Sequence, residues 1–254
     1  MAKDIIKLFP DHKMYVEGFG GAGHVLFRKP KSEIEIYNDI HEGLYLFFKF
    51  LRNKDTCEEL VKQIQLTPYS RQEFMDCKKT WMKETNEIEK VRKFYVAIMQ
   101  SVGSTGTGGW RYSKSKSRRG MSQVVSGWLS NIDENLPNLI ERLREIQIEK
   151  LDIIDLIKKY DNDFVLFYLD PPYVQDTRQS KKVYKYEMDI EKHKELVDTL
   201  LGIKGKVVLS GYDHNVYNKL LENGWNKVFL GEYTKRWQKE GELDKGKEIV
   251  WLNY

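Results

Sequence analysis

The run Phe164-Val165-Leu166-Phe167-Tyr168-Leu169-Asp170-Pro171-Pro172-Tyr173 decides how the chain is read. Its first six residues are apolar and rich in β-branched and aromatic side chains. A short, wholly apolar run of this kind fits a strand buried on both faces at the centre of a parallel sheet. The run stops at Asp170. The two prolines that follow can neither continue the ladder nor open a helix there. Asp170, the carbonyls beside the prolines and the Tyr173 ring are thereby fixed at the carboxyl end of a strand. Open α/β sheets bind their ligands at that edge. Pro171 carries no N–H, Asp170 is an anionic acceptor and Tyr173 offers a flat face. Two acceptors and a ring suit an exocyclic amino group on a planar base. The plainer reading is a strand followed by an ordinary Pro-Pro turn.

Nearer the amino terminus, Met14-Tyr15-Val16-Glu17 reads as a short strand that runs into the glycine-rich turn Gly18-Phe19-Gly20-Gly21-Ala22-Gly23. Val25-Leu26-Phe27 is expected to start a helix. Glycines let the backbone approach a ligand closely, or simply make a tight turn. Ile34-Glu35-Ile36-Tyr37 is a second strand, ending in Asn38-Asp39. An acid about twenty positions after the glycine turn is well placed for ribose hydroxyls. It could equally cap the next helix.

Asp170-Pro171-Pro172-Tyr173 looks like the signature of methyltransferases that act on adenine N6 in DNA. Tyr15 to Gly23 and Asn38 to Leu44 are similar to the S-adenosylmethionine motif and following segment of the Dam-like, D12 class of these enzymes. Gly18 stands where that family usually has Pro, and His41 where it has Asn. The resemblance implies an α/β fold, a Rossmann-like, mostly parallel seven-stranded sheet with flanking helices, plus a helical target-recognition insertion. It implies a catalytic domain of residues 1–50 and 146–254 and an insertion of 51–145. S-adenosyl-L-methionine is the implied cofactor, held by Glu17, Phe19, Gly20, Gly21, Gly23, Asp39, Asp152, Ile153 and Asp170. Asp170, Pro171, Pro172 and Tyr173 are the implied catalytic residues, and double-stranded DNA the implied partner. Asp152, before a helix ending near Tyr160, is either part of the adenine pocket or a helix cap. The family also carries an aromatic residue and Gly-Gly-Lys ahead of the cofactor motif. Met1 falls after that place, so this chain is expected to bind the cofactor more weakly than one with the segment restored.

Residues 41–102 read as helices, with apolar stripes such as Leu44, Phe47, Phe48 and Leu51. Ser70 and Glu73 form a capping-box pattern. Residues 103–120 carry cations and aromatics, no acid, and many small residues. Trp110, Arg111, Tyr112, Lys114, Lys116, Arg118 and Arg119 suit phosphate contacts and stacking on bases; a solvated loop is the bland alternative. Residues 131–145 are expected to be helical, with Pro137 confining the start to about 136. Residues 174–189, with Arg178 and Lys181, would be a lid or DNA contact. Lys206 to Tyr212 reads as a strand. Two antiparallel strands close the chain, with a mobile turn from Tyr233 to Lys247.

The net charge of +4, from 42 Lys and Arg against 38 Asp and Glu, permits nucleic-acid binding without requiring it. Cys57 and Cys77 show no metal spacing, so no metal is expected. No membrane span or signal peptide is read, and a cytoplasmic monomer in a bacterial or phage-infected cell is expected. Two other functions fit the same residues. One is a DNA-binding or regulatory relative without catalysis; the other is a methyltransferase of RNA or of protein glutamine.

Overall fold

The computed structural model describes residues 1–104, 106, 108–174, 188–237 and 243–254. In chain order its elements begin α1 (Ala2–Ile6), β1 (Met14–Glu17), β2 (Ile34–Asn38), α2 (Glu42–Leu51), α3 (Lys54–Leu66), α4 (Arg71–Thr80) and α5 (Glu87–Met99). Then come β3 (Ser117–Arg118), β4 (Met121–Ser122), α6 (Gln123–Ser130), α7 (Leu136–Leu143), β5 (Gln147–Glu149), α8 (Ile153–Tyr160) and β6 (Val165–Leu169). The last are α9 (Ile190–Leu201), β7 (Lys206–Tyr212), α10 (Asn218–Glu222), β8 (Asn226–Trp237) and β9 (Leu243–Leu252). They form two compact units, residues 1–41 with 146–254, and residues 42–145.

The first unit is built on a sheet of order β5-β2-β1-β6-β7-β9-β8. The first five strands run parallel; β9 alone runs against them, and β8, antiparallel to β9, runs with them again. β6 lies in the middle with every residue buried, as its apolar run predicts. The two faces of the sheet differ in chemistry. On one, Val16, Ile36, Val165, Phe167, Leu169, Val207, Leu209, Ile249 and Trp251 form a single apolar core with side chains of α8, α9 and α10. On the other, the register aligns Tyr15 with Glu35, Glu17 with Tyr37 and with Tyr168, and Tyr212 with Glu248. Tyr15, Glu17, Glu35, Tyr37, Tyr168, Ser210 and Glu248 are all buried there.

Buried polar groups persist only with partners, and these have them. The Lys29 ammonium reaches Glu35 at 2.6 Å, Ser32 Oγ at 2.8 Å and the Pro30 carbonyl at 2.8 Å. It also lies 4.4 Å from the centre of the Tyr15 ring. Tyr15 donates its hydroxyl to Glu17 at 2.7 Å.

The second unit is helical. Asn53, Ser70 and Asn86 cap α3, α4 and α5 through side-chain oxygens. Glu73 completes no reciprocal box, because its carboxylate pairs with Arg92 at 2.7 Å. Rings of Phe47, Tyr95, Trp128, Tyr69 and Trp110 follow one another at centroid distances of 5.4–6.2 Å.

Three expectations are corrected. Residues 24–29 form turns, because Leu26 gives its N–H to Glu17 at 2.8 Å and Pro30 closes the segment. α7 begins at Leu136 with Pro137 in its first turn, but no break precedes it: α6 runs on into α7 through a π turn over Asn131–Asn135. Leu136 donates to Asn131 there, and the widened turn accommodates the N–H that proline lacks. The closing strands are longer than expected, since β8 reaches Trp237 and β9 begins at Leu243. Tyr233, Thr234 and Trp237 favour extended backbone, which the local charge had masked.

Candidate active site

The carboxyl edge of the parallel strands gathers the glycine turn, Asp39, Asp170 and Tyr173. The turn is set by hydrogen bonds to its neighbours. Gly18 N–H continues the ladder onto the Tyr168 carbonyl at 3.0 Å, and Gly20 N–H reaches the Asn38 carbonyl at 2.8 Å. The buried Asn38 amide donates to the Gly18 carbonyl at 2.9 Å and to the Leu151 carbonyl at 3.1 Å. It accepts from Leu151 N–H at 2.8 Å. Asn38 thus joins the ends of three segments, a role that sequence reading had not given it.

The two oxygens of Asp39 accept from Gly21 N–H at 2.8 Å and His41 N–H at 2.7 Å. Asp39 therefore fastens the glycine turn to the end of β2, and α2 starts only at Glu42. Each oxygen keeps acceptor capacity beyond its one N–H.

Two glycines are close approaches. A Cβ on Gly20 would lie 2.1 Å from the Tyr37 ring, whose hydroxyl holds the Gly21 carbonyl at 2.6 Å. One on Gly18 would lie 2.5 Å from Leu169 and 2.7 Å from Ile153. Ile153 and Leu169 thus fill the volume left by Gly18. Gly20→Ala is expected to destabilise the protein by about 1–3 kcal/mol, the usual cost of overpacking. Urea denaturation of variant and parent would measure it.

Phe19 is half-buried and packs on the apolar core. Asp152 is the N-cap of α8, accepting from Ile154 N–H at 2.9 Å, and it also pairs with Lys192 at 3.0 Å. Ile153 is buried.

Asp170 follows β6 directly and is partly exposed at the edge, with protein packed round its carboxylate. Burial, reinforced by the charge of Glu248, pushes its pKa up to about 7. Burial also pushes Glu17 up to about 8, against the hydrogen bonds from Tyr15 and Leu26. Both groups hold protons more tightly folded than unfolded. Their contribution to stability is complete below pH 4 and is lost as pH rises through 7 and 8. The thermal midpoint is expected to fall as pH rises from about 5 to about 8 and then to level off, and Glu17→Gln to blunt that fall. Calorimetry across this range would check it.

Tyr173 does not stand alone, contrary to the simplest picture of a free stacking face. Its ring lies on Tyr212, with centroids 3.9 Å apart and planes 21° apart. Its hydroxyl donates to Glu248 at 3.2 Å. Ser210 Oγ donates to the other Glu248 oxygen at 2.6 Å. Pro171 is buried and Pro172 half-buried.

The basic segment belongs to the helical unit. Trp110 is half-buried, donates to Gln100 at 3.2 Å and lies 4.8 Å from the Arg71 guanidinium. Arg111 turns inward to the Met99 carbonyl at 2.9 Å. Arg119 forms a two-residue turn with Gly120, both with positive φ (54° and 73°), and pairs with Glu134 at 3.0 Å. Tyr112, Lys114, Lys116 and Arg118 are exposed. Arg178 and Lys181 lie outside the described residues. Among the described residues no group of three or more His, Cys, Asp or Glu could hold a metal ion. No described helix is long and apolar enough to cross a membrane.

A mostly parallel seven-stranded sheet with flanking helices, its glycine turn and acids at the carboxyl edge, is the Rossmann-like fold of S-adenosylmethionine-dependent methyltransferases. Within that class the chain belongs to the D12 class N6 adenine-specific DNA methyltransferases, whose family model matches residues 1–239. No curated protein matches the chain.

Proposed function

We propose that the chain transfers a methyl group from S-adenosylmethionine to the N6 amino group of an adenine flipped out of double-stranded DNA. The observation that carries this is Asp170, a carboxylate held at the carboxyl end of the central strand and followed at once by Pro171, Pro172 and Tyr173.

The residues present fit the cofactor. Asp39 keeps acceptor capacity for hydroxyls, and a Cβ on Gly21 would meet nothing within 4 Å, so that side of the turn is open. Glu17, Phe19, Gly20, Gly21, Gly23 and Asp39 would hold it, with Asp152 and Ile153 on the side of α8. When bound, the cofactor supplies an electrophilic methyl group. Everything else falls to the protein. An adenine inside a duplex is out of reach, so the base must be extruded at a cost of a few kcal/mol. Stacking on Tyr173 returns about 1–3 kcal/mol.

The adenine amino nitrogen is a poor nucleophile because its lone pair is delocalised into the ring. Asp170 and the Pro171 carbonyl accept its two hydrogens and draw the nitrogen towards a tetrahedral form. The lone pair is thereby freed for attack on the electrophile that the bound cofactor would supply. The positive charge that develops on nitrogen is stabilised by the same acceptors, and one amino proton departs by way of Asp170.

The unit of residues 1–41 and 146–254 would do this chemistry. The unit of residues 42–145 would contact DNA through Tyr112, Lys114, Lys116 and Arg118, with Trp110, Arg111 and Arg119 shaping the segment. Arg178 and Lys181 complete the cations assigned to DNA.

Labelled cofactor incubated with unmethylated duplex DNA tests the reading, with nucleoside analysis of the product. N6-methyladenine is expected. DNA binding with no transfer, or transfer only to RNA or to protein, would overturn it.

A further inference from the structure

Among the described residues, Glu248 is the one buried acid at the carboxyl edge of the sheet that the mechanism above leaves without a task. It sits on β9 opposite Tyr212 and is 2% exposed. A buried carboxylate is costly to keep, so an apolar residue would serve a purely structural strand better. Its two oxygens are committed in different directions. One takes the Ser210 hydroxyl from β7, and the other takes the Tyr173 hydroxyl from the Asp-Pro-Pro-Tyr segment. The Tyr173 ring is at the same time laid flat on Tyr212, the next residue but one after Ser210. Three contacts therefore fix one ring: a hydrogen bond at its tip, a ring behind it and the prolines at its root.

We propose that Glu248 is a positioning residue for the reaction, which locks Tyr173 onto Tyr212 so that the extruded base meets a two-ring platform already set in place. This rests on the assignment of Tyr173 as the stacking residue for the base. The physical benefit is pre-organisation. A tyrosine that had to be ordered by the incoming base would subtract its rotamer entropy from the stacking gain. Tyr212 and Ser210 share in the effect, Tyr212 as backing and Ser210 by orienting the carboxylate.

The test uses the full chain and a duplex whose methylated adenine has first been mapped by sequencing of modified bases. Turnover is read on that duplex, and stacking on a copy that carries 2-aminopurine, which has no amino group at C6, at the mapped position. Glu248→Ala is expected to lower kcat/KM about tenfold, a loss typical of one ordering contact, and to brighten the bound 2-aminopurine as stacking loosens. Tyr173→Phe keeps the ring, loses the hydroxyl and should produce the same two changes. The double variant should be no worse than either single one, since both remove one interaction. Glu248→Gln keeps an acceptor oxygen and is expected to restore most of the stacking signal. Should Glu248→Ala fold poorly, Glu248→Gln and Glu248→Leu carry the same cycle with Tyr173→Phe.

Losses that multiply in the double variant would overturn the proposal, as would 2-aminopurine emission that none of the variants changes. Failure of the parent chain to methylate any adenine is a separate result. It would sink the proposed function itself, whereas a methylating parent with multiplying losses would sink only the role of Glu248.

Discussion

Asp170→Ala is expected to cut methyl transfer by about a thousandfold or more, while duplex binding stays within a few-fold of the parent. The magnitude follows from mutations that remove a single pre-organised group facing charge developed in a transition state, which cost about 100- to 1000-fold each. Asp170 is asked for more than that, because it both draws off an amino hydrogen and faces the new positive charge. DNA contacts assigned to the helical unit are untouched by the change. Single-turnover transfer and a gel-shift titration measure the two halves of the prediction. Near-normal turnover in the variant would exclude the mechanism.

The pH profile gives a second measure of the same group. The working form is the carboxylate, and burial together with Glu248 raises its pKa to about 7. The transfer rate should therefore climb with pH, level off above about 7, and drop about tenfold per unit well below it. Among the described residues, Glu17, Tyr168, Tyr217 and Glu248 are the titratable groups whose charge acts on it or feels it. Glu248→Gln removes a neighbouring negative charge and should move the midpoint down.

The largest effect on stability is expected at Lys29, which takes no part in the proposed chemistry. Lys29→Met should cost about 3–5 kcal/mol, the usual result of removing one partner of a buried ion pair. The side chains of Lys29 and Glu35 are 1% and 2% exposed, so solvent screens little of the charge left on Glu35. The same site also loses donors to Ser32 Oγ and the Pro30 carbonyl. Methionine retains most of the aliphatic stem, which keeps lost packing out of the comparison. Lys29→Met with Glu35→Leu should recover most of the loss, because an apolar pair of similar volume needs no partner charge. Urea midpoints of the three proteins would decide it. Equal destabilisation in the single and double variants would mean that packing, not charge, dominates.

The central part of the fold was readable because each element declared itself locally. A wholly apolar run marked β6, and strand-turn-strand spacing marked β1, the glycine turn and β2. Asp39 was readable as a special residue, but not as a clamp on Gly21, because spacing does not say which side chain folds back on which backbone. Ser210 and Tyr212 lie in a run readable as a strand ending at the same sheet edge, but Glu248 carried no comparable signal. It meets Ser210 only through the antiparallel pairing of β7 with β9, which joins residues 38 positions apart. A faint hint existed: Glu248 directly precedes the apolar run Ile249, Val250, Trp251 and Leu252. The basic segment was legible only as a whole. Its glycines, serines and cations do not say which side chains face solvent. Arg111 turns back to the end of α5, and Trp110 lies beneath Arg71. Composition cannot separate a cation that faces solvent from one that closes a helix end.

The division of the sheet into an apolar and a polar face has a consequence for how the chain finds its alignment. Strands apolar on both sides can slide past each other at little penalty, since every residue suits either side. Here a slip of β1 by one residue would turn Tyr15 and Glu17 into the helices, and the same slip of β2 would send Glu35 after them. An uncompensated charge in such surroundings costs several kcal/mol. The carboxylates and hydroxyls that look like a burden on the folded protein therefore act as an alignment code. They make nearly every mispaired sheet more expensive than the correct one, at the strands that carry the chemistry.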